Sequence, residues 1–298
     1  MDSAATGLET RRSTAADSRS PWRDAAAQLR RNRGAMAGSV TLGVLAVLAV
    51  AVPMLSPYAI DEIFWDAIGT GPSLAGGHLF GTDANGRDLF LRTLYAGRIS
   101  LAVGLAASVV SVLVGVAWGT VSGYFGGFTD SAMMRFVDVL YALPFMFFVI
   151  LLMVYFGRHV VLIFVAIGMV EWLDMARIVR GQTLSIKRRE FVEAARAMGA
   201  PSMWIVLRHV IPNVLGPVVV FATLTVPRAI LFESFLSFLG LGIQEPMTSW
   251  GVLISEGATQ METQPWALVF PATFLAATLF SLNFLGDGLR DALDPRQR

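Results

Sequence analysis

The sequence predicts an all-α polytopic membrane protein with six transmembrane helices and both termini in the cytoplasm. Three observations carry that expectation. Apolar residues fill 55% of the 298 positions, charged residues only 15%, and mean hydropathy is +0.61, more apolar surface than a soluble core of this size uses. The apolar residues gather into segments near the roughly 20 residues that cross a hydrocarbon core about 30 Å thick. Arginine concentrates in the N-terminal tail and between positions 177 and 196, whereas residues 241–264 carry Glu245, Glu256 and Glu262 and no basic residue. The positive-inside rule places the Arg-rich segments in the cytoplasm.

The chain divides into a tail (1–34), a first anchor (35–57), an extracytoplasmic connection (58–96), a permease-like core (97–288) and a short C-terminal tail (289–298). Residues 1–20 hold few apolar side chains and are expected to be disordered. Ser20 and Pro21 can open a helix with Trp22, Ala25, Ala26 and Leu29 near one face, which fits an interfacial helix or a solvated basic tail. The first span, about 35–56, lies too far from the start, and ends too proline-rich, to be a cleaved leader.

Within the connection, Gly81 to Gly86 read as turn residues, and Asp88 and Arg92 stand at helical i, i+4 spacing. Span two, about 99–124, repeats Ala107, Ser111, Gly115, Gly119 and Gly123 every four residues, a small face for close helix packing. Span three, about 137–156, should kink at Pro144. Span four, about 160–176, follows the turn at His159, and Asp174 can pair with Arg177 beyond it. Span five runs from about Val210 to Pro227; the FESFLSFLGLG stretch after it is too short to cross again and reads as re-entrant or lining a cavity. Span six is about 265–285.

Several chemistries are excluded. The chain has no cysteine, hence no disulfide or thiolate site. Lys187, its only lysine, is followed by Arg188 and lies in no Gly-x-x-x-x-Gly-Lys-Ser/Thr loop, so the chain itself cannot cradle ATP. No catalytic set, metal site, cofactor site or nucleic-acid-binding pattern is expected. A secondary transporter driven by an ion gradient would need ionisable residues deep in the spans. The candidates Glu171, Asp174, Arg228 and Glu233 fall near the expected span ends.

The most informative stretch is the loop 187–217. Glu190, Phe191, Glu193, Ala194, Ala195 and Met198 read as a short helix, Gly199 permits its end, and Pro201 suits the start of a second. Glu193-Ala194-Ala195, Gly199 and Pro212 together resemble the "EAA" loop of ATP-binding-cassette importer permeases, with His209 standing where that pattern has an apolar residue. Gly81, Thr82, Asp83, Gly86, Arg87, Asp88, Arg92, Gly97, Arg98 and Ser100 are similar to the GTDxxGRD segment of the peptide and nickel branch. The stretches from Pro144, Leu162, Ile230 and Phe284 look like the C-type subunits of oligopeptide permeases within that branch.

That resemblance implies a type I importer permease fold, a multi-pass place in the cytoplasmic (inner) membrane among its lipids, and inward transport of oligopeptides or dipeptides. It implies a homologous B-type permease partner, two ATP-binding subunits that hold ATP and magnesium, and an extracytoplasmic peptide-binding protein. Glu190, Phe191, Glu193, Ala194, Ala195, Met198, Gly199 and Pro212 are then the ATPase-coupling residues. Glu193 is expected to cap or orient the docking helix, and Ala194 and Ala195 to allow close approach. Arg228 and Glu233 are candidate contacts for peptide termini on the substrate pathway.

Overall fold

The structure is a computed structural model that describes residues 21–157 and 160–293. The expected disorder of 1–20, the Ser20 cap, His159 and the end of the C-terminal tail lie outside the described residues. Helices occur in the order α1 (Pro21–Arg31), α2 (Arg33–Leu55), α3 (Leu89–Phe125), α4 (Gly127–Ala142), α5 (Phe145–Phe156), α6 (Val160–Ile186), α7 (Glu190–Ala197), α8 (Ser202–Ile205), α9 (Ile211–Phe238), α10 (Trp250–Thr259) and α11 (Pro265–Leu293). Among the described residues there are two isolated β-bridges and no strand.

Local chemistry sets the boundaries. Asn32 caps α2 by accepting from the Ala35 amide at 3.1 Å. Asp88 caps α3 by accepting from the Leu91 amide at 2.8 Å. Span two therefore starts ten residues before the expected Ile99, and the boundary drawn at residue 97 falls inside α3. Gly126, at φ +69°, ends α3 in a conformation open to glycine.

The small stripe on α3 performs as its spacing implies. A β-carbon on Gly115 would stand 2.5 Å from Met175, and one on Gly119 would stand 2.4 Å from the Ala176 carbonyl. Helices α3 and α6 thus pack backbone to backbone, with Ala107, Ser111, Gly115, Gly119 and Gly123 all buried. Around this pair, α9 lies against α3, α2 packs on both α3 and α11, and α1 lies on the end of α11 with Ala25 buried.

Several expectations require correction. Pro144 does more than kink span three: α4 and α5 meet at a break bent by 83°, because proline lacks the amide that would continue the helix. Span four continues to Ile186, and span six to Leu293. The FESFLSF stretch is not re-entrant. It completes α9, which passes through Pro217 and Pro227 without ending. Membrane helices accommodate such prolines when nearby groups serve the freed carbonyls. Residues 241–264 are not merely a loop, since Ser249 caps the ten-residue α10 through the Val252 amide at 3.2 Å.

By length and composition, four helices among the described residues can cross a membrane, or five if the bent pair α4 and α5 counts as one span. Helix α6 is 27 residues long but carries Glu171, Asp174 and Arg177 in its centre.

Candidate functional site

The EAA stretch folds as its residues suggest. Helix α7 ends in a Schellman-type turn: the Ala200 amide donates to the Ala195 carbonyl at 3.1 Å and the Gly199 amide to the Arg196 carbonyl at 3.0 Å, with Gly199 at φ +81°. Pro201 then precedes α8, and a five-residue π-turn, Val206–Val210, leads into α9. Pro212 sits in the first turn of α9, where its missing amide leaves a carbonyl one turn back without the usual partner. Asn213 Nδ2 donates to the His209 carbonyl at 2.6 Å beside it.

The helix has two distinct faces. Val192 and Ala195 point inward, packed among Ile186, Ile205, Val206, Val210 and Val214. Glu190, Phe191, Glu193, Ala194 and Met198 are exposed, Met198 by 81%. Ala194 and Ala195 therefore do different things: Ala195 permits the loop to pack on its own chain, and Ala194 alone of the two faces outward. Glu193 does not cap α7, whose N-cap residue is Arg189, with no side-chain cap bond. Sequence reasoning passed over Met203, Trp204 and Leu207, which extend the exposed apolar face onto α8 and the π-turn. His209 lies between Phe191 and Trp204, with ring centroids 6.0 and 5.1 Å away. It fills the expected apolar position as an aromatic.

One polar link ties this loop to the bundle, and a second joins α6, α4 and α3 beside it. Lys187 Nζ donates to the Gly123 carbonyl at 2.7 Å, at the C-terminal end of α3, where helix carbonyls lack partners. Arg180 holds Asp130 through two bonds of 2.5 and 2.6 Å, and Asp130 also accepts from Ser122.

In the middle of the bundle, charged groups meet on α4, α6 and α9. Arg228 approaches Asp174 at 3.6 Å, and Tyr141 donates to Asp174 at 3.1 Å. Arg177 pairs with Asp138 at 2.8 Å and lies 4.3 Å over the Tyr141 ring, not with Asp174 as its spacing suggests. Glu171 does not sit at a span end, whereas Glu233 stands five residues before Phe238, the last residue of α9. Glu171 is buried midway along α6, and Glu233 is fully buried, its carboxylate accepting from Ser237 and Ser249 at 2.6 Å each. Glu233 is near a span end, though that end is Phe238 and not Pro227. Near the loop end of the bundle, Gln182, Ser185, Arg189, Asn213, Phe221 and Arg290 line a cavity of about 810 Å³.

At the opposite end, the Gly81–Gly104 segment builds a charged cluster. Asp83 binds both Arg87, at 2.8 Å, and Arg92; Arg87 reaches Glu245 at 2.5 Å, and Arg92 reaches Glu256 at 3.5 Å. Asp88 pairs with His78 at 2.8 Å and not with Arg92. The hydrogen bond from Arg87, reinforced by its charge, holds the Glu245 carboxyl below the usual glutamate value. Burial pushes Glu256 above it, against the pull of Arg92 and Arg87. Trp250 locks α10 onto α3, donating from Nε1 to the Thr93 carbonyl at 2.9 Å, with its ring over Gly97. Among the described residues, no group of three or more His, Cys, Asp or Glu side chains is placed to hold a metal.

The described helices are those of an all-helical chain able to cross a membrane several times, with a short exposed helix on an Arg-rich loop, and comparison with known proteins assigns the class. Residues 115–298 match the family described as "Binding-protein-dependent transport system inner membrane component", and the chain belongs to that family. Residues 20–72 match the N-terminal transmembrane domain of oligopeptide transport permease C. The chain is 55% identical over 282 residues to the oligopeptide transport system permease protein OppC of Haemophilus influenzae, covering 95% of this chain and 91% of the relative. It is 57% identical to OppC of Escherichia coli strain K12, covering 95% and 93%. The dipeptide transport system permease protein DppC of Bacillus subtilis is 49% identical over 92% of this chain and 86% of its own length. The chain is an inner-membrane permease subunit of an ATP-binding-cassette importer and not itself an enzyme.

Proposed function

We propose that this chain forms one half of the translocation pathway of an ATP-driven oligopeptide or dipeptide importer, alongside a homologous B-type permease. Two ATPase subunits holding ATP and magnesium, and an extracytoplasmic peptide-binding protein, complete the assembly. In this reading α2, α3, α4 with α5, α6, α8 with α9, and α11 are the six spans. Both termini and the α7–α8 loop lie in the cytoplasm, and the Asp83 cluster lies outside.

The observation that carries the reading is the two-faced α7. Val192 and Ala195 seat it on the permease, while Glu190, Phe191, Glu193, Ala194 and Met198 remain exposed on a chain that has no nucleotide-binding loop of its own. Such a face fits a groove on a separate ATPase. Gly199 and Pro212 hold the turn and the return into α9, so that ATP-driven movement of the ATPases reaches α9 through the π-turn and α3 through Lys187. Substrate class rests on the relatives, which are oligopeptide and dipeptide permeases. Of the two candidate pathway residues, Arg228 is exposed and remains a candidate. Glu233 is closed in by Ser237 and Ser249 and is better read as a pin between α9 and α10.

Co-purification of the tagged chain from its native membrane tests the assembly. Recovery of a second permease and two ATPases, with hydrolysis stimulated by peptide-loaded binding protein, is the expected result. An active transport preparation containing this chain and no ATPase would instead support an ion-driven carrier.

A further inference from the structure

Four charged groups on α4, α6 and α9, Asp138, Asp174, Arg177 and Arg228, form a ladder with Tyr141 between them. Their side chains are exposed to a degree unusual for charges midway along membrane helices, with Arg228 at 53% and Asp138 at 58%. Ionised groups in that position face water or protein rather than lipid. The ladder leads somewhere. The Arg228 guanidinium lies 5.9 Å from the Phe221 ring, and Phe221 with Ile178, one turn from Asp174, lines the 810 Å³ cavity near the α7 loop. That volume suits a small molecule of a few linked residues.

Its charge pattern is equally specific. Two carboxylates and two guanidinium groups alternate, so the wall is neutral overall. A neutral wall of alternating charge attracts a dipolar ion without trapping a net cation or anion. The Asp174 and Arg228 pair is separated by 3.6 Å, longer than a charge-assisted hydrogen bond. Arg228 therefore keeps donors for an incoming carboxylate, and Asp174, which Tyr141 orients, keeps acceptor capacity for an incoming ammonium. Glu171, buried one turn away, stays behind this wall.

We propose that this ladder is the substrate-facing wall of the translocation pathway, with Asp174 and Arg228 as counter-charges for the terminal ammonium and carboxylate of a zwitterionic peptide. The proposal deepens the reading of the chain as a peptide permease and rests on it.

The chain has no cysteine, so an introduced one is its only thiol. The test uses the complete complex in proteoliposomes, with binding protein and ATP, and a charged membrane-impermeant methanethiosulfonate. Asp138→Cys should react at least about 10-fold faster than the exposed apolar control Val154→Cys on α5. Trialanine in transit should slow labelling of Asp138→Cys about 5-fold, and adding Asp174→Asn with Arg228→Gln should abolish that protection. An Asp138→Cys as inert as Val154→Cys, its face being covered by the partner permease, would overturn the placement. Labelling that trialanine slows equally with and without Asp174 and Arg228 would overturn the counter-charge role. Wild-type complex that imports no trialanine under the same conditions would instead remove the peptide reading, and the proposal with it.

Discussion

Lys187 Nζ lies 2.7 Å from the main-chain oxygen of Gly123, a residue 64 positions earlier in the chain. The bond joins the root of the α7 loop to the end of the small-faced helix α3. Movement of α7 cannot leave α3 behind while it holds.

Replacing Lys187 by Met removes that link and keeps most of the stem. A hydrogen bond to a charged donor contributes about 1.5 to 3 kcal/mol, and the lower part of that range applies at this half-buried site. The variant complex should melt a few degrees lower and should transport several-fold fewer peptides per ATP hydrolysed. An unchanged ratio of uptake to hydrolysis would show that α3 takes no part in coupling.

Ala194 and Ala195 should separate two kinds of defect. Ala195 is 3% exposed among Val192, Ile205 and Val206, and an added side chain there overpacks the loop at a cost of about 1 to 3 kcal/mol. Ala195→Leu should therefore lower the thermal stability of the purified chain even without partners. Ala194→Leu should leave the isolated chain as stable as before and reduce recovery of the ATPase subunits. Equal behaviour of the two variants would contradict the two-faced reading of α7.

Gly119 tests the packing of α3 on α6. Its added β-carbon would meet the Ala176 carbonyl at 2.4 Å, and backbone cannot move aside as a flexible side chain can. Gly119→Ala should cost about 1 to 3 kcal/mol and lower the yield of folded chain, whereas Gly181→Ala, with open space around it, should not.

The Asp83 cluster predicts a pH dependence with two parts. Burial raises Glu256 above its ordinary 4.5, so its charged form is disfavoured in the folded state. Its contribution to stability falls as pH rises from about that ordinary value through the raised one. Glu245 is lowered by Arg87, so its contribution is present above 4.5 and is lost as pH falls through the lowered value. In melting curves of the complex across pH, Glu256→Gln should flatten the upper window and Glu245→Gln the lower. Loss of the same window in both variants would contradict the assignment.

What the sequence could reveal was mostly local. The Gly199 turn, the α3 stripe, the start of span six at Pro265 and, within two residues, the start of span one follow from glycine spacing and hydropathy over neighbouring residues. Long-range partners were not legible. Nothing near Lys187 points to Gly123, and nothing near Arg228 points to Asp174, because those pairs depend on how α3, α6 and α9 cross. Pro227 misled for a related reason: the proline rule for isolated helices ends α9 there, whereas membrane neighbours carry it to Phe238. Asp174 with Arg177 was sound by spacing, whereas Glu193 as a cap came only with the family resemblance. Competing partners and the direction of α7 decided otherwise.

The most direct test of the central claim is peptide uptake by the proposed four-subunit complex in proteoliposomes, with loaded binding protein outside and either ATP with magnesium inside or an imposed proton or sodium gradient. Uptake that requires ATP and is unaffected by collapsing the gradients is the predicted result. Uptake that proceeds on a gradient without ATP would contradict the account.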